Sequence, residues 1–168
     1  MKTVLLKSVQ LYDPDPKGIC DLFLCGGRVA AVGQGLVPNL PGVAVLDGSG
    51  LTAFPGLVDQ HVHFTGGGGE CGFRSRVPEL SLTDFTTAGV TTAVGLLGTD
   101  SATRSPKALL AKTKALNEEG LTAYCLTGAY DVPSPTVTGS LKDDVTYLSE
   151  VLGVKVALSD HRGGHPTL

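Results

Sequence analysis

The sequence has no basic cluster, no long hydrophobic run and no disulfide framework. Its 13 lysines and arginines are scattered and its net charge is −3, whereas a nucleic-acid-binding surface needs a basic patch. No apolar run approaches the roughly 20 residues that a membrane-spanning helix requires. Residues 1–7 are too short and too interrupted by polar side chains to form the hydrophobic region of a signal peptide. These absences predict that neither nucleic acid nor a membrane is a partner.

The four cysteines include no Cys-x-x-Cys pair, and their usage is typical of reduced thiols in a cytoplasmic protein. They are Cys20, Cys25, Cys71 and Cys125. Aromatic residues are also few, whereas glycine is abundant, with 23 residues. Because the glycines cluster near the apolar runs, they predict tight turns and binding loops rather than disorder.

The first third of the chain contains short apolar segments separated by turn residues. The candidate strands are residues 4–11, 21–24, 28–32, 43–46 and 51–54. Proline, glycine and aspartate separate them at intervals that leave no room for a helix of useful length. Residues 1–54 are therefore predicted to form an all-β module.

After Pro55 and Gly56 the pattern changes to an alternation of strands and helices. Strands are predicted at residues 57–64, 90–97, 121–126 and 154–158, and helices are predicted to begin near Ser81, Ser105 and Ser140. One face of the last helix is expected to carry Leu141, Val145, Leu148 and Leu152. This alternation predicts a parallel sheet with helices outside it. Four such units fit either half of a (β/α)8 barrel or a small open sheet, and length alone does not choose between them.

The strongest chemical signal lies at the end of the first strand of this α/β part. Side chains alternate between the two faces of a strand, so Asp59, His61 and His63 point to one side. Two imidazoles spaced in this way can hold one metal ion from one side. The alternative is a pair of solvent-facing histidines at a strand end. The preceding Pro-Gly and apolar residues, the β module and the following βα units favour the metal site.

Residues 55–63, Pro-Gly-Leu-Val-Asp-Gln-His-Val-His, resemble the metal-binding signature of the amidohydrolase superfamily. Further stretches resemble the isoaspartyl (β-aspartyl) dipeptidases in particular, at residues 66–70, 84–92, 95–100, 126–130 and 153–162. The run of four glycines that ends at Glu70 is the most specific of them. The resemblance extends along the whole chain.

The resemblance implies an α/β fold in which residues 55–168 form the first half of a (β/α)8 TIM-type barrel. Residues 1–54 would then be a small, incomplete β-sandwich module in front of the barrel. It also implies two divalent metal ions, with zinc expected, although several divalent ions suit such sites. His61 and His63 would bind the more buried metal, and Lys155 would bridge both metals as a carboxylated lysine.

The sequence around Lys155 is compatible with that role. The lysine lies on the predicted fourth strand, flanked by two valines, and desolvation lowers the pKa of a lysine. A neutral amine can add carbon dioxide, and the resulting carbamate offers one oxygen to each metal. The alternative is a lysine whose ammonium group reaches solvent from a strand end. The two metals would lower the pKa of a shared water and hold the hydroxide that attacks the substrate.

The resemblance also assigns catalytic and substrate-binding residues. Tyr130 would stabilise the oxyanion, although by itself it would be interpreted as a packing aromatic. The expected substrate is a small β-aspartyl dipeptide, whose free α-amino group would bind Glu70 and whose aspartyl part would bind Gly68 and Thr99. Arg162 would pair with a substrate carboxylate. A flexible linker is the alternative interpretation of the glycine run. The full-length protein is expected to form a homo-oligomer.

The family takes further residues from the second half of its barrel. These are two histidines on the fifth and sixth strands, an aspartate on the eighth strand as general base, and a second substrate-binding arginine. This chain of 168 residues contains none of these, since His161 and His165 lie too early to replace the histidines. The simplest explanation is that the sequence is part of a longer polypeptide, with a genuinely short protein as the alternative.

Two alternatives to an isoaspartyl dipeptidase remain open. A related cyclic-amide hydrolase, similar to dihydroorotase or hydantoinase, would share the histidine pair and the bridging lysine. It would not be expected to carry the run of four glycines before Glu70. A non-catalytic, metal-binding half-barrel that works with another chain is the second alternative.

The 168-residue chain should be catalytically silent by itself. Without the remaining metal ligands and the general base, neither activation of the nucleophile nor proton delivery to the leaving amine is supported. The test is to purify residues 1–168, add zinc and bicarbonate, and measure hydrolysis of β-aspartyl-leucine. Turnover close to that of a complete isoaspartyl dipeptidase would contradict this expectation.

Overall fold

The structure is a computed structural model that describes residues 3–158 and residue 160. Arg162 and the two late histidines lie outside the described residues. The chain divides into two compact units, Met1–Pro55 and Gly56–Leu168. Among the described residues, no helix is both long enough and apolar enough to cross a membrane.

The first unit is one five-stranded sheet. Its strands are β1 Val4–Asp13, β2 Asp15–Cys25, β3 Arg28–Gly33, β4 Ala44–Asp47 and β5 Thr52–Ala53. The hydrogen-bonded order is β3-β2-β1-β4, and β5 also pairs with β1. Val9 and Leu11 of β1 and Leu22 of β2 form its small buried core.

Strand β2 begins six residues earlier than the sequence predicts. Residues 13–18 contain two prolines and a glycine and were expected to form a turn, but in the structure β1 and β2 form a hairpin that reaches Asp13 and Asp15. The ladder shifts register between Leu11 and Tyr12, where Tyr12 pairs with Pro16. A register shift accommodates a proline that cannot donate a ladder hydrogen bond.

The second unit has the predicted alternation of strands and helices. Its strands are β6 Leu57–Val62, β7 Val90–Gly95, β8 Thr122–Gly128 and β9 Val151–Lys155, and its helices are α1 Leu82–Thr87, α2 Pro106–Glu119 and α3 Leu141–Tyr147. A short 3-10 helix covers Phe73–Ser75. The four strands are parallel and lie side by side in chain order. Their carboxyl ends therefore meet at one edge of the sheet.

Helix α2 begins and ends where its capping residues predict. The Ser105 hydroxyl accepts a hydrogen bond from the Ala108 amide at 3.2 Å, and Pro106 occupies the first helical position. Gly120 ends the helix in the left-handed conformation with φ of 110°. The apolar side of α2 packs on the sheet, because Leu109 and Leu116 are fully buried.

The side chains at the end of β6 differ in whether they are buried in the core of the second unit. Val62 and Phe64 are buried in it, and the Phe64 ring makes an edge-to-face contact with Phe85 at 5.7 Å between ring centroids. Asp59 and His61 are exposed, but Val58, which strand alternation places on the apolar face, is 59% exposed as well. Burial therefore distinguishes the two faces only at Val62 and Phe64, and the common orientation of Asp59, His61 and His63 stays a prediction.

The end of the third βα unit differs from the sequence prediction. Helix α3 ends at Tyr147 and β9 starts at Val151, so Leu152 lies in a strand and is 54% exposed. The apolar residues at helical spacing favoured a longer helix. Parallel pairing with β8, which begins where Cys125 pairs with Val151, outweighs that local pattern. Lys155 is consequently the last residue of the strand.

Substitution of a buried and of an exposed leucine should show how much the burial of a side chain contributes to stability. Leu109→Ala should lower the free energy of unfolding by about 2–5 kcal/mol, because it leaves a cavity beneath α2. Leu152→Ala removes the same atoms from an exposed position, where surface substitutions change stability by about 0.5 kcal/mol or less. Urea unfolding of both variants, followed by circular dichroism, measures the difference. Equal losses in the two variants would contradict the described core.

Candidate active site

Two imidazoles lie together at the carboxyl end of β6. The ring centroids of His61 and His63 are 5.5 Å apart and the rings are nearly perpendicular, at 82°. The Asp59 carboxylate accepts a hydrogen bond from the His61 amide at 3.0 Å, which fixes the backbone just before the pair. The strand thus presents two nitrogen donors to the same space.

The orientation of the His63 ring is set by the neighbouring strand segment. Its Nδ1 lies 3.1 Å from the Leu96 carbonyl oxygen, just after β7. A carbonyl oxygen only accepts, so Nδ1 donates, and in the neutral ring Nε2 keeps its lone pair. Histidine ligands in metal sites are oriented by such second hydrogen bonds.

The surroundings of His63 favour its neutral form. Burial lowers the pKa of His63, and the nearby His61 and Lys155 lower it further, although the Leu96 hydrogen bond and Glu70 act in the opposite direction. A depressed pKa keeps the imidazole neutral to lower pH, and the neutral imidazole is the form that binds metals. Lys155 and Glu70 are therefore close enough to His63 to influence its charge.

Two glycines make room for the His63 ring. A Cβ atom added to Gly98 would lie 2.9 Å from Cε1 of His63, and one added to Gly67 would lie 3.3 Å from its Cγ. The ring is therefore held between two loops that approach it closely. Only a residue without a side chain permits the approach at Gly98 without displacing the imidazole.

Lys155 and Tyr130 meet at the ends of β8 and β9. The lysine Nζ lies 5.3 Å from the centroid of the Tyr130 ring, within the range of a cation–π contact. The neighbouring Gly128 is also sterically required, because an added Cβ would lie 2.5 Å from the Lys155 carbonyl oxygen. Close packing of the two strand ends brings the two predicted residues together.

The glycine run is a structured loop rather than a flexible linker. Gly66, Gly68 and Gly69 have φ values of 80°, 78° and 99°, which favour glycine. An added Cβ would lie 2.2 Å from the Val77 carbonyl oxygen at Gly66 and 2.4 Å from the Ser75 carbonyl oxygen at Gly68. The loop also pairs with the returning chain, since Val77 donates its amide hydrogen to the Gly67 carbonyl at 2.9 Å.

Three of the predicted substrate-binding residues line one cavity. The Thr99 hydroxyl donates to the Glu70 carboxylate at 3.0 Å. The cavity beside them has a volume of about 380 Å³ and is lined by Gly68, Gly69, Glu70, Phe73, Arg76, Thr99 and Asp100. It combines a carboxylate, a hydroxyl and glycine backbone in a space that fits a small polar molecule.

A charged cluster that the sequence does not reveal joins the two loops of this cavity. Asp100 accepts from Arg76 Nε at 2.7 Å and also pairs with Arg104 and Thr103. Arg104 in turn donates to the carbonyl oxygens of Thr65 and Val77. The Thr103 hydroxyl holds the pKa of Asp100 below its usual value, and the two arginines add to this effect. The partners lie up to 39 residues apart, so no local pattern could have identified them.

The candidate metal ligands His61, His63 and Lys155 would supply part of the metal centre that the resemblance implies. Among the residues that the structure describes, no group of three or more histidine, cysteine, aspartate or glutamate side chains is placed to hold a metal ion. The histidine pair with Lys155 supplies two imidazole nitrogens and, after carboxylation of the lysine, carbamate oxygens. Nitrogen and oxygen ligands of this kind suit zinc. Arg162 lies outside the described residues.

No family model matches the chain. It is 44% identical to the β-aspartyl dipeptidase of the thermophilic keratin-degrading bacterium Fervidobacterium islandicum AW-1, which has been solved in complex with β-Asp-Leu. The match covers 98% of this chain and 44% of that chain, with a TM-score of 0.89. The resemblance to the isoaspartyl dipeptidases of the amidohydrolase superfamily is confirmed.

Curated relatives belong to other branches of that superfamily. A dihydroorotase from Pelotomaculum thermopropionicum is 31% identical over 119 residues, which cover 70% of this chain and 26% of that protein. An allantoinase from Enterococcus faecalis is 45% identical over 51 residues, which cover 30% of this chain and 10% of the allantoinase.

The match to the isoaspartyl dipeptidase also confirms the fold prediction. The chain is α/β and corresponds to a partial (β/α)8 barrel preceded by a β module. It spans less than half the length of the solved isoaspartyl dipeptidase that it matches. The four parallel strands β6 to β9 are therefore the first strands of that barrel type.

A methyl group at Gly98 should disturb zinc binding without removing any ligand. Gly98→Ala should weaken zinc binding by residues 1–168 roughly tenfold, because the new Cβ displaces the His63 ring and small misplacements of a ligand cost that much. Gly153→Ala is the control, since its added Cβ has only an ordinary contact at 3.7 Å. Calorimetric titration with zinc measures both variants, with the His61→Ala, His63→Ala double variant as the reference for lost binding. Unchanged affinity in Gly98→Ala would contradict the proposed ligand position.

Proposed function

We propose that this chain supplies the first half of the active site of an enzyme that hydrolyses β-aspartyl (isoaspartyl) dipeptides in a metal-dependent reaction. The observation that carries the proposal is the cavity lined by Gly68, Glu70 and Thr99, whose chain neighbours Gly67 and Gly98 lie against the His63 ring. The Fervidobacterium islandicum enzyme that binds β-Asp-Leu, at 44% identity, supports it independently.

Glu70 is the proposed partner of the substrate's α-ammonium group. One carboxylate oxygen accepts from Thr99, and this hydrogen bond orients the carboxylate towards the cavity wall that both residues share. A charge-assisted hydrogen bond from an ammonium group is about twice as strong as a neutral one. The glycine loop brings backbone close to the same space, which suits a small zwitterionic head group.

His61, His63 and a carboxylated Lys155 are the residues that would hold the metal on this half of the site. Two divalent ions, with zinc expected, polarise a scissile carbonyl and lower the pKa of a water molecule when they are bound. The Leu96 carbonyl keeps Nε2 of His63 available for this purpose. Carbon dioxide is required as the source of the carbamate on Lys155.

Tyr130 is the proposed donor to the oxyanion that forms as the amide is attacked. Its ring lies beside Lys155, so its phenol is close to the side chain that would bridge the metals. A hydrogen-bond donor in this position acts mainly on the transition state, because the negative charge develops there. Arg162 is proposed to bind the substrate's remaining carboxylate.

A cyclic-amide hydrolase is the second candidate. The dihydroorotase and allantoinase relatives favour it, because their similarity spans up to 70% of this chain. Such an enzyme would use the same histidine pair and lysine but has no need for a carboxylate that binds a free α-amine. The cavity lined by Glu70 and Thr99 favours the dipeptide.

The proposal also specifies the partners of the complete protein. Its substrate is a small dipeptide, and neither nucleic acid nor membrane takes part. We propose a cytoplasmic homo-oligomer for the complete protein. A non-catalytic half-barrel that acts with another chain is the remaining alternative, and the experiment below distinguishes it.

The test is a chimera in which residues 1–168 are joined to the part of the Fervidobacterium islandicum enzyme that the match does not cover. With zinc and bicarbonate, the chimera should hydrolyse β-Asp-Leu and should leave dihydroorotate and allantoin unchanged. Hydrolysis of a cyclic amide instead would favour the second candidate. A folded chimera that binds zinc but cleaves none of the three substrates would favour the non-catalytic half-barrel.

Two variants of the chimera should show different kinetic signatures. Glu70→Gln should lower kcat/KM for β-Asp-Leu roughly ten- to hundredfold, because a hydrogen bond to a charged group is lost. It should leave N-acetyl-β-Asp-Leu, which has no ammonium group, unaffected. Tyr130→Phe should instead lower kcat by roughly a hundredfold with little change in KM. Equal losses of Glu70→Gln on the free and the acetylated substrate would contradict the amine-binding role.

A further inference from the structure

A buried carboxylate lies behind the loop that carries Tyr130. This Tyr130 loop comprises residues 129–140 and connects β8 to α3. Asp144, on α3, is fully buried, at 0% exposure. Burial alone would raise the pKa of Asp144, but hydrogen bonds from Thr127, Thr138 and the loop backbone outweigh it and lower the pKa. The side chain is therefore an anion inside the core.

The hydrogen bonds to this carboxylate come from both sides of Tyr130 along the chain. Thr127, on β8, donates its hydroxyl to Oδ2 at 2.5 Å. At the other end, the Val137 amide donates to the same oxygen at 2.8 Å. Thr138 donates both its amide and its hydroxyl to Oδ1, at 2.8 and 2.6 Å. The carboxylate thus joins the strand before Tyr130 to the segment that follows it.

Additional contacts close the loop around the tyrosine. The Gly128 amide donates to the Pro135 carbonyl at 3.1 Å, directly across the loop. Asp131, next to Tyr130, accepts from the Ser101 hydroxyl. With both ends held by Asp144, these contacts leave the tyrosine on a short closed segment.

We propose that Asp144 is a positioning residue for Tyr130. Its catalytic consequence rests on the proposed function, whereas its effect on the position of the ring does not. An oxyanion donor has to be held within about 0.5 Å of its productive position, and buried hydrogen bonds of this kind provide that precision. The side-chain hydrogen bonds described above join Asp144 to Thr127, Val137 and Thr138, which are not predicted metal ligands.

The negative charge is the essential property of the side chain. Four donors converge on its two oxygens, and a carboxylate can accept all of them. An asparagine of the same size offers one accepting oxygen, and its amide group would face donors instead. Asp144→Asn should therefore release one end of the loop while preserving the volume of the core.

The experiment is nuclear magnetic resonance of residues 1–168, in which the four tyrosines give few aromatic signals. In the unchanged chain the Tyr130 ring should show nuclear Overhauser contacts to the Lys155 side chain, since these groups lie together. Asp144→Asn should abolish these contacts and shift the Tyr130 ring signals. Tyr12 and Tyr124 should keep their signals, which a general loss of structure would not allow.

Asp84→Asn is the matched control. Asp84 is also an aspartate in the first turn of a helix, where it accepts hydrogen bonds from Ser81, but its helix follows the β6–α1 connection and not the Tyr130 loop. This variant should leave the Tyr130 signals and contacts unchanged. Thr127→Val is a milder second variant, which removes one donor and should shift Tyr130 in the same direction to a smaller extent. It decides the question if Asp144→Asn does not fold.

Unchanged Tyr130 signals and Lys155 contacts in the folded variants would overturn the proposal. In the chimera, Asp144→Asn should lower kcat and leave KM nearly unchanged, and it should have no further effect when Tyr130 is already Phe. A loss of kcat that is equally large in the Tyr130→Phe background would show that Asp144 does not act through the tyrosine. Because the resonance experiment requires no activity, failure of the proposed function would leave this test intact.

Discussion

The pleat of β6 sends alternate side chains to opposite faces of the sheet, and the site and the core both depend on this separation. Val62 and Phe64 are buried among the core residues of the second unit, while His61 is exposed. A shift of one residue in the strand would exchange the positions of His61 and Val62, which would bury an imidazole and expose the valine. The burial of Val62 therefore places His61 on the open face, and the chain that continues past β6 brings the His63 ring close to it, with the ring centroids 5.5 Å apart.

Small residues allow the ends of the parallel strands to come close enough to form one site. Phe64 packs directly over Gly95, where an added Cβ would lie 2.3 Å from the ring. Gly98 and Gly128 play the same part beside His63 and Lys155. The abundance of glycine thus has a specific structural purpose at the carboxyl edge of the sheet. It replaces side-chain volume with space for functional groups from neighbouring strands.

Two carboxylates that are not themselves predicted site residues hold the loops at this edge of the sheet. Asp100 joins the glycine loop to the segment after β7 through Arg76 and Arg104. Asp144 joins the two ends of the Tyr130 loop from behind. In each case an anion accepts several hydrogen bonds from residues that are distant in sequence. These hydrogen bonds hold the predicted site residues of the loops in fixed positions, although the loops themselves are neither strands nor helices.

The sequence by itself determined the local periodicities and the residue types of the site. Strand alternation predicted that His61 and His63 share a face, and capping residues predicted both ends of α2. The periodicity failed at Leu152, where pairing with β8 extends the strand, and the resemblance alone identified Lys155 and Tyr130 as site residues. Only the tertiary structure decided that His63 donates a hydrogen bond to the Leu96 carbonyl and that Glu70 accepts one from Thr99. It alone also decided which groups donate hydrogen bonds to Asp144. Those contacts join residues up to 33 positions apart, and their geometry depends on how the loops pack over the sheet, which no local pattern encodes.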